Sequence, residues 1–313
     1  MRYDEEMFPH EDQSWKIVPE GNREDSIVIL EPIADYACHT GENPLYHPEE
    51  DCVYWTDIPN GKLFRYYIAT GKHEICYTGE PVGGFTLQAD GALLLFCARG
   101  AVKIWRNGEL TTVIDEIPEE RAARFNDVIA DPVGRVFCGT MPTPERKGRL
   151  YRLDTQGNLR LLLEGIGCSN GMGFTPDHKQ MYYTDSGAGI VYLFDYDQTT
   201  GEISHQRNFA KVAPGEGVPD GMTVDATGNV WSTRWDGSCM VCYTPDGAEK
   251  ERISFPVKKV SCVTFGDADY QTMYVTTAGG HIKQTDGEHA GALFRVRLEG
   301  VSGVPEFRSR VGR

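Results

Sequence analysis

The chain has 313 residues, 40% hydrophobic and 25% charged, which is ordinary globular composition with enough length to bury a large core. A formal charge of −15 argues against nucleic acid and anionic membranes as partners, because both attract basic surfaces. No apolar run reaches the length of a membrane span, and the acidic start MRYDEEMFPHEDQSW lacks the apolar segment of a secretory signal, so the expected address is the cytoplasm.

Nine cysteines are scattered along the chain, mostly in strand-like apolar runs. An odd, dispersed set reads as reduced, buried thiols rather than a disulfide framework. Cys239 and Cys242 have CxxC spacing, but they fall in the strand pattern SCMVCYT. Residues three apart on a strand face opposite sides, so the pair reads as packing rather than as a redox or zinc site. The eight histidines are isolated, and His47 and His178 read as turn residues. The sequence contains no P-loop, no GxSxG elbow and no HExxH motif.

Taken in order, residues 1–25 are polar and aperiodic and read as an arm or cap. Residues 26–36, SIVILEPIADY, form a lone strand-like run ahead of the first repeat. A repeat follows in which a small or polar residue leads an apolar strand, a Gly-containing turn and a second strand. Its leading positions are Glu42, Gly83, Asn126, Asn170, Asp220 and Ser261, at spacings of 41, 43, 44, 50 and 41 residues. A period of about 40–50 residues built from short strands is the signature of a β-propeller with four strands per blade. The expected fold is all-β: one six-bladed propeller over 26–300 with four-stranded antiparallel blades. The last repeat shows three strands, so the N-terminal run is expected to supply the fourth and close the ring. Residues 301–313 are expected to form an irregular tail. Aromatic residues on the second strands, such as Tyr54, Trp55, Phe137 and Trp231, read as packing between blades.

In a propeller the first strand of each blade lines the central channel. Glu42, Asn126, Asn170 and Asp220 are therefore expected to converge at one height near the axis. Two carboxylates and two amide carbonyls make a hard-oxygen set, suited to Ca²⁺, Mg²⁺ or Mn²⁺.

The segments GENPLYH, RFNDVIADPVGRVFCGTM, SNGMGFTPDHKQMYYTDS, FDYDQTTGEIS and VPDGMTVDATGNVW resemble the regucalcin (senescence marker protein), gluconolactonase and luciferin-regenerating-enzyme-like family. The resemblance runs from about residue 27 to 300 and implies a six-bladed propeller with one catalytic divalent metal, Zn²⁺ and Fe²⁺ being further options. It implies Glu42, Asn170 and Asp220 as metal ligands, Asp220 also as acid/base, and Arg124 and Asn126 as substrate-binding residues. The chain departs from the family pattern in three places. Val128 stands where Gly is common. Pro-Thr-Pro follows Met141 where animal members have an acidic substrate contact, with Glu145 out of register. The N-terminal arm is additional.

The expected function is divalent-metal-dependent opening of a sugar lactone, an aldonolactone, to its hydroxy acid. The alternatives are hydrolysis of a phosphotriester or other ester on the same scaffold, and a non-catalytic calcium-binding propeller.

Overall fold

The computed structural model describes residues 15–17, 20–21 and 28–312. Six sheets carry the chain, each with four consecutive antiparallel strands except the last. The inner strands are Gly41–His47, Val82–Leu87, Phe125–Ala130, Ser169–Phe174, Val218–Val224 and Lys259–Gly266. Blade six is completed by Val28–Asp35, which pairs along Ala292–Leu298 from Leu298↔Val28 to Ala292↔Asp35. The ring is thus closed by the N-terminal strand, as the missing fourth strand of the last repeat predicts.

Local chemistry sets the hairpins. Asn107 and Gly108 both have positive φ, 50° and 91°, and connect the paired residues Arg106 and Glu109, a tight turn of the twist that suits a hairpin. In blades three and five an aspartate caps the first turn. Asp131 Oδ1 accepts from the Val133 and Arg135 amides at 3.0 Å each, and Asp225 Oδ1 accepts from Thr227 and Asn229 at 2.9 Å each.

The buried apolar side chains form six clusters, one in each gap between neighbouring blades. Both faces of an inner blade strand are covered, so strands such as Cys52–Asp57 and Val136–Thr140 are buried at every position. Tyr54, Trp55, Phe137 and Trp231 all lie in these gaps, as expected. Cys239 and Cys242 enter different gaps, on opposite sides of blade five, and none of the nine cysteines forms a disulfide.

The chain ends do more than the sequence suggested. Trp15–Ile17 pairs with Val28–Asp35, and Glu20–Gly21 pairs with Glu249–Ser254, so these parts of the arm extend blades six and five. The remaining positions of the arm lie outside the described residues. Residues 301–312 form no strand beyond a bridge at Ser309, and they cross the far end of the channel. Gly303 N donates to Tyr270 O of blade six at 2.8 Å, and Ser302 O accepts from Ala226 N of blade five at 2.8 Å. Ser309 N donates to Leu87 O of blade two at 2.9 Å, and Arg310 N donates to Gly134 O of blade three at 2.9 Å. Val311 is fully buried between blades two and three. No helix among the described residues is long and apolar enough to cross a membrane.

Candidate metal and substrate site

Every inner strand breaks its ladder register near the leading position of the repeat. In blades three, four and five the bulges leave Asn126–Asp127, Asn170–Gly171 and Asp220–Gly221 outside the pairing. Smaller shifts isolate Gly83 and Ser261. A bulge releases a side chain from strict alternation and re-aims it, here toward the axis. Gly83 is required by close approach: a Cβ there would meet Phe125 O at 2.0 Å. Ser261 turns away from the site, its Oγ donating to Gly41 O at 2.6 Å.

Blade one differs by one place. Glu42 is still ladder-paired with Thr56, and the bulge falls on Asn43 and Pro44. Asn43, at φ 50°, turns to blade two, where its amide bridges the Phe85 carbonyl and amide at 3.1 Å each. The Glu42 carboxylate reaches the shared pocket instead.

That pocket has a volume of about 470 Å³ and opens at the end of the channel away from the tail. Glu42, Arg124, Asn126, Asn170 and Asp220 all line it, so the structure brings together every expected site residue. A hydrogen-bond chain orients its floor. Arg124 Nη1 donates to Asn126 Oδ1 at 2.7 Å, and Asn126 Nδ2 donates to Asn170 Oδ1 at 2.7 Å and to Ser169 O at 2.8 Å. Asn170 Nδ2 donates to Ser186 Oγ at 2.7 Å, and Ser186 donates onward to Pro219 O. These contacts fix the Asn170 amide with its nitrogen toward Ser186 and its oxygen toward Asn126.

The electrostatics are those of buried acids held together. Burial first, then Asp127, pushes the Asp220 carboxyl well above the usual range, while Arg124 pulls it down. Glu42 is raised by burial and by repulsion from Asp220 and Asp127. Asp127 itself is pushed up to about 7 by burial, against the pull of Arg124. Burial also lowers Arg124 from its ordinary value. Two carboxylates in the pocket and a third acid, Asp127, beneath it outnumber the single Arg124, a balance that favours a bound cation, which would let the carboxylates ionise together.

The donor chemistry fits a divalent ion. Glu42 and Asp220 offer carboxylates and Asn170 an amide oxygen, a hard set. Among the described residues no three His, Cys, Asp or Glu side chains are grouped as a metal site; the set here is two carboxylates and one amide oxygen. Cys168 lines the same pocket, 3.6 Å from the Met141 sulfur, but burial pushes its thiol up to about 12. It therefore stays protonated at neutral pH and does not soften the donor set.

Four residues at or just beneath the pocket carry no mark in the sequence pattern. Asp127 shares the bulge with Asn126 but lines the deeper cavity below the floor. The adjacent Asn-Asp pair was visible, but alternation alone does not tell which way each bulged side chain turns. Ser186 closes the segment MYYTDS, where nothing singles out a serine. Trp235 and Val218 form the wall on blade five, as Cα partners at the mouth of the hairpin.

The two departures within the propeller also find their places. Val128 packs in the gap between blades two and three, with its Cγ2 beside Gly84, away from the pocket. After the GTM segment Met141 lines the pocket, while Glu145 is exposed and contributes nothing to it.

Residues 40–279 match the sequence profile described as the SMP-30/Gluconolactonase/LRE-like region. The chain belongs to this family. It is 44% identical over 289 residues to pentonolactonase XacC of Haloferax volcanii, covering 89% of this chain and 97% of that one. It is 31% identical over 295 residues to regucalcin of Gallus gallus, covering 90% and 98%. A solved luciferin-regenerating enzyme superposes with a TM-score of 0.83 at 26% identity, covering 91% of this chain and all of the other, 100%. The resemblance seen in the motifs thus holds for the whole propeller.

Proposed function

We propose that the protein is a divalent-metal-dependent lactonase that opens a sugar lactone, an aldonolactone, to its hydroxy acid. The observation that carries this reading is the chain Arg124–Asn126–Asn170 lying beside Asp220 and Glu42 in one pocket. Membership of a family that includes gluconolactonases, and 44% identity to a protein named pentonolactonase, support the substrate class.

In this reading Glu42, Asn170 and Asp220 hold the ion, and Asn126 and Arg124 bind the lactone. When bound, the ion supplies Lewis-acid polarisation of the lactone carbonyl. Arg124 donates hydrogen bonds to substrate hydroxyls and to the oxygen that gains charge as water adds. Asn126 holds the Arg124 guanidinium in place and keeps the Asn170 oxygen pointed inward. Asp220 takes the proton of the attacking water on a carboxylate oxygen and returns it to the ring oxygen as that bond breaks, so no net proton stays on the enzyme. Without the ion, burial and the neighbouring Asp127 raise the Asp220 carboxyl; a bound cation would lower it again and keep the carboxylate ionised to accept the proton. Nine cysteines without a disulfide fit a reducing compartment, and the cytoplasmic address belongs to the same reading.

The test is a pH-indicator assay of the metal-loaded chain with pentono-1,4-lactones, glucono-1,5-lactone and a phosphotriester. Turnover of at least one aldonolactone well above the triester supports the reading. Turnover of the triester alone, or tight metal binding without any hydrolysis, refutes it.

A further inference from the structure

The floor of the pocket is polar, but its blade-five wall is not. Trp235 ends the strand Val230–Trp235 where it emerges beside the site. It lies on the same strand face as Trp231, which is fully buried in the gap between blades five and six. Trp235 is only partly buried and lines the pocket, next to Val218, which is 37% exposed.

The indole is also held from behind. Lys259 Nζ sits over the ring, 5.7 Å from its centroid. The ammonium is fixed in turn by Asp236 at 3.2 Å and by the buried carboxylate of Asp286. A cation over one face and paired carboxylates behind it restrict the ring before any ligand arrives.

We propose that Trp235 is a specificity-determining residue that receives the C–H face of the lactone ring. This rests on the lactonase reading. A sugar lactone has hydroxyls at its edge and C–H groups on its faces. Arg124 and Asn126 on the floor suit the edge, and the restrained indole with Val218 suits the face. A flat ring gains most from such a wall, and an open-chain hydroxy acid gains less, so the wall favours substrate over product. The contact persists through the reaction's first half and acts mainly on binding, not on the chemical step.

The experiment compares the full-length, metal-loaded wild type with Trp235→Ala and Trp235→Phe across pentono-1,4-lactones and glucono-1,5-lactone. Trp235→Ala is expected to raise KM about tenfold or more while kcat changes less than about threefold, the pattern of lost uniform binding. Trp235→Phe, which keeps an aromatic face, is expected to recover most of that loss. Intrinsic fluorescence gives a second readout: lactone titration changes the wild-type emission, and the change is lost in Trp235→Phe. Equal KM in wild type and Trp235→Ala, or the same fluorescence change in Trp235→Phe, overturns the proposal. A wild type that turns over no lactone counts against the lactonase reading itself. The fluorescence titration with the same lactones then still decides whether Trp235 meets the ring.

Discussion

Asn126 Nδ2 lies 2.7 Å from Asn170 Oδ1, a hydrogen bond that joins the inner strands of blades three and four across 44 residues of sequence. Both residues sit in β-bulges, and it is the bulges that let them meet. Asn126→Ala removes the donor that orients Asn170 and the acceptor that anchors Arg124. Its kcat/KM for a lactone is expected to fall about a hundredfold, by analogy with loss of one preorganised donor in other active sites. Steady-state kinetics beside a melting curve separates this from unfolding.

Ser186 holds the other end of the same amide. Ser186→Ala frees the Asn170 nitrogen and allows the side chain to turn its oxygen away from the axis. Affinity for a divalent ion is expected to drop about 10- to 100-fold, as when a partner of a metal ligand is removed. Calorimetric titration of chelator-stripped protein measures it directly, and an unchanged affinity would mean that Ser186 does not set the orientation of the Asn170 amide.

Asp220 is buried beside Asp127 and Glu42 with its carboxyl raised, so its charged form costs folding stability at neutral pH. Asp220→Asn removes that charge. The metal-free variant is expected to melt above the metal-free wild type, and added metal should stabilise it far less. For the wild type, metal at a hundredfold excess over Kd stabilises by about 2.7 kcal/mol. Thermal melts with and without metal check both statements.

Glu306 lies on the tail and lines the cavity of about 60 Å³ that Asp127 enters from above. Burial pushes its carboxyl from the ordinary 4.5 up to about 7. Between those values the folded chain keeps a proton that the unfolded chain has lost, so this group's contribution to stability falls as pH rises through that window and levels off above it. Glu306→Gln is therefore expected to match the wild type near pH 5, where the side chain is protonated in the fold, and to exceed it near pH 8. Paired melts at the two pH values test the sign.

The tail is expected to act as a structural strap. Val311 is fully buried with Leu94, Phe96 and Val136, and the Gln88 amide brackets its backbone at 3.0 and 3.1 Å. Val311→Ala should cost about 1–3 kcal/mol in a denaturant melt, the usual range for a buried aliphatic truncation.

The architecture was legible because a propeller repeats itself. One register over Glu42, Gly83, Asn126, Asn170, Asp220 and Ser261 carried the blade count, four of these positions line one pocket, and the missing strand of the last repeat pointed to the N-terminal closure. Direction was harder to read. The repeat aligned Glu42 with Asn126, whereas the ladder places the bulge one residue later, at Asn43. Asn126 and Asp127 are neighbours that line different cavities, a choice made by bulge geometry and not by residue type. Arg124 was identified only through the family resemblance, since a lone arginine before a strand has many uses. The strap is silent in the sequence because many of its hydrogen bonds run backbone to backbone, which leave no mark in composition or period.

The central claim is that Asp220 and a divalent ion together open a lactone. The most direct test is lactone hydrolysis by chelator-stripped protein, with Ca²⁺, Mg²⁺, Mn²⁺, Zn²⁺ or Fe²⁺ added back singly, wild type beside Asp220→Ala. The account predicts no turnover without metal, recovery with at least one ion, and a loss of at least about a thousandfold in kcat for the variant. Full activity after stripping, or a variant as active as the wild type, would contradict it.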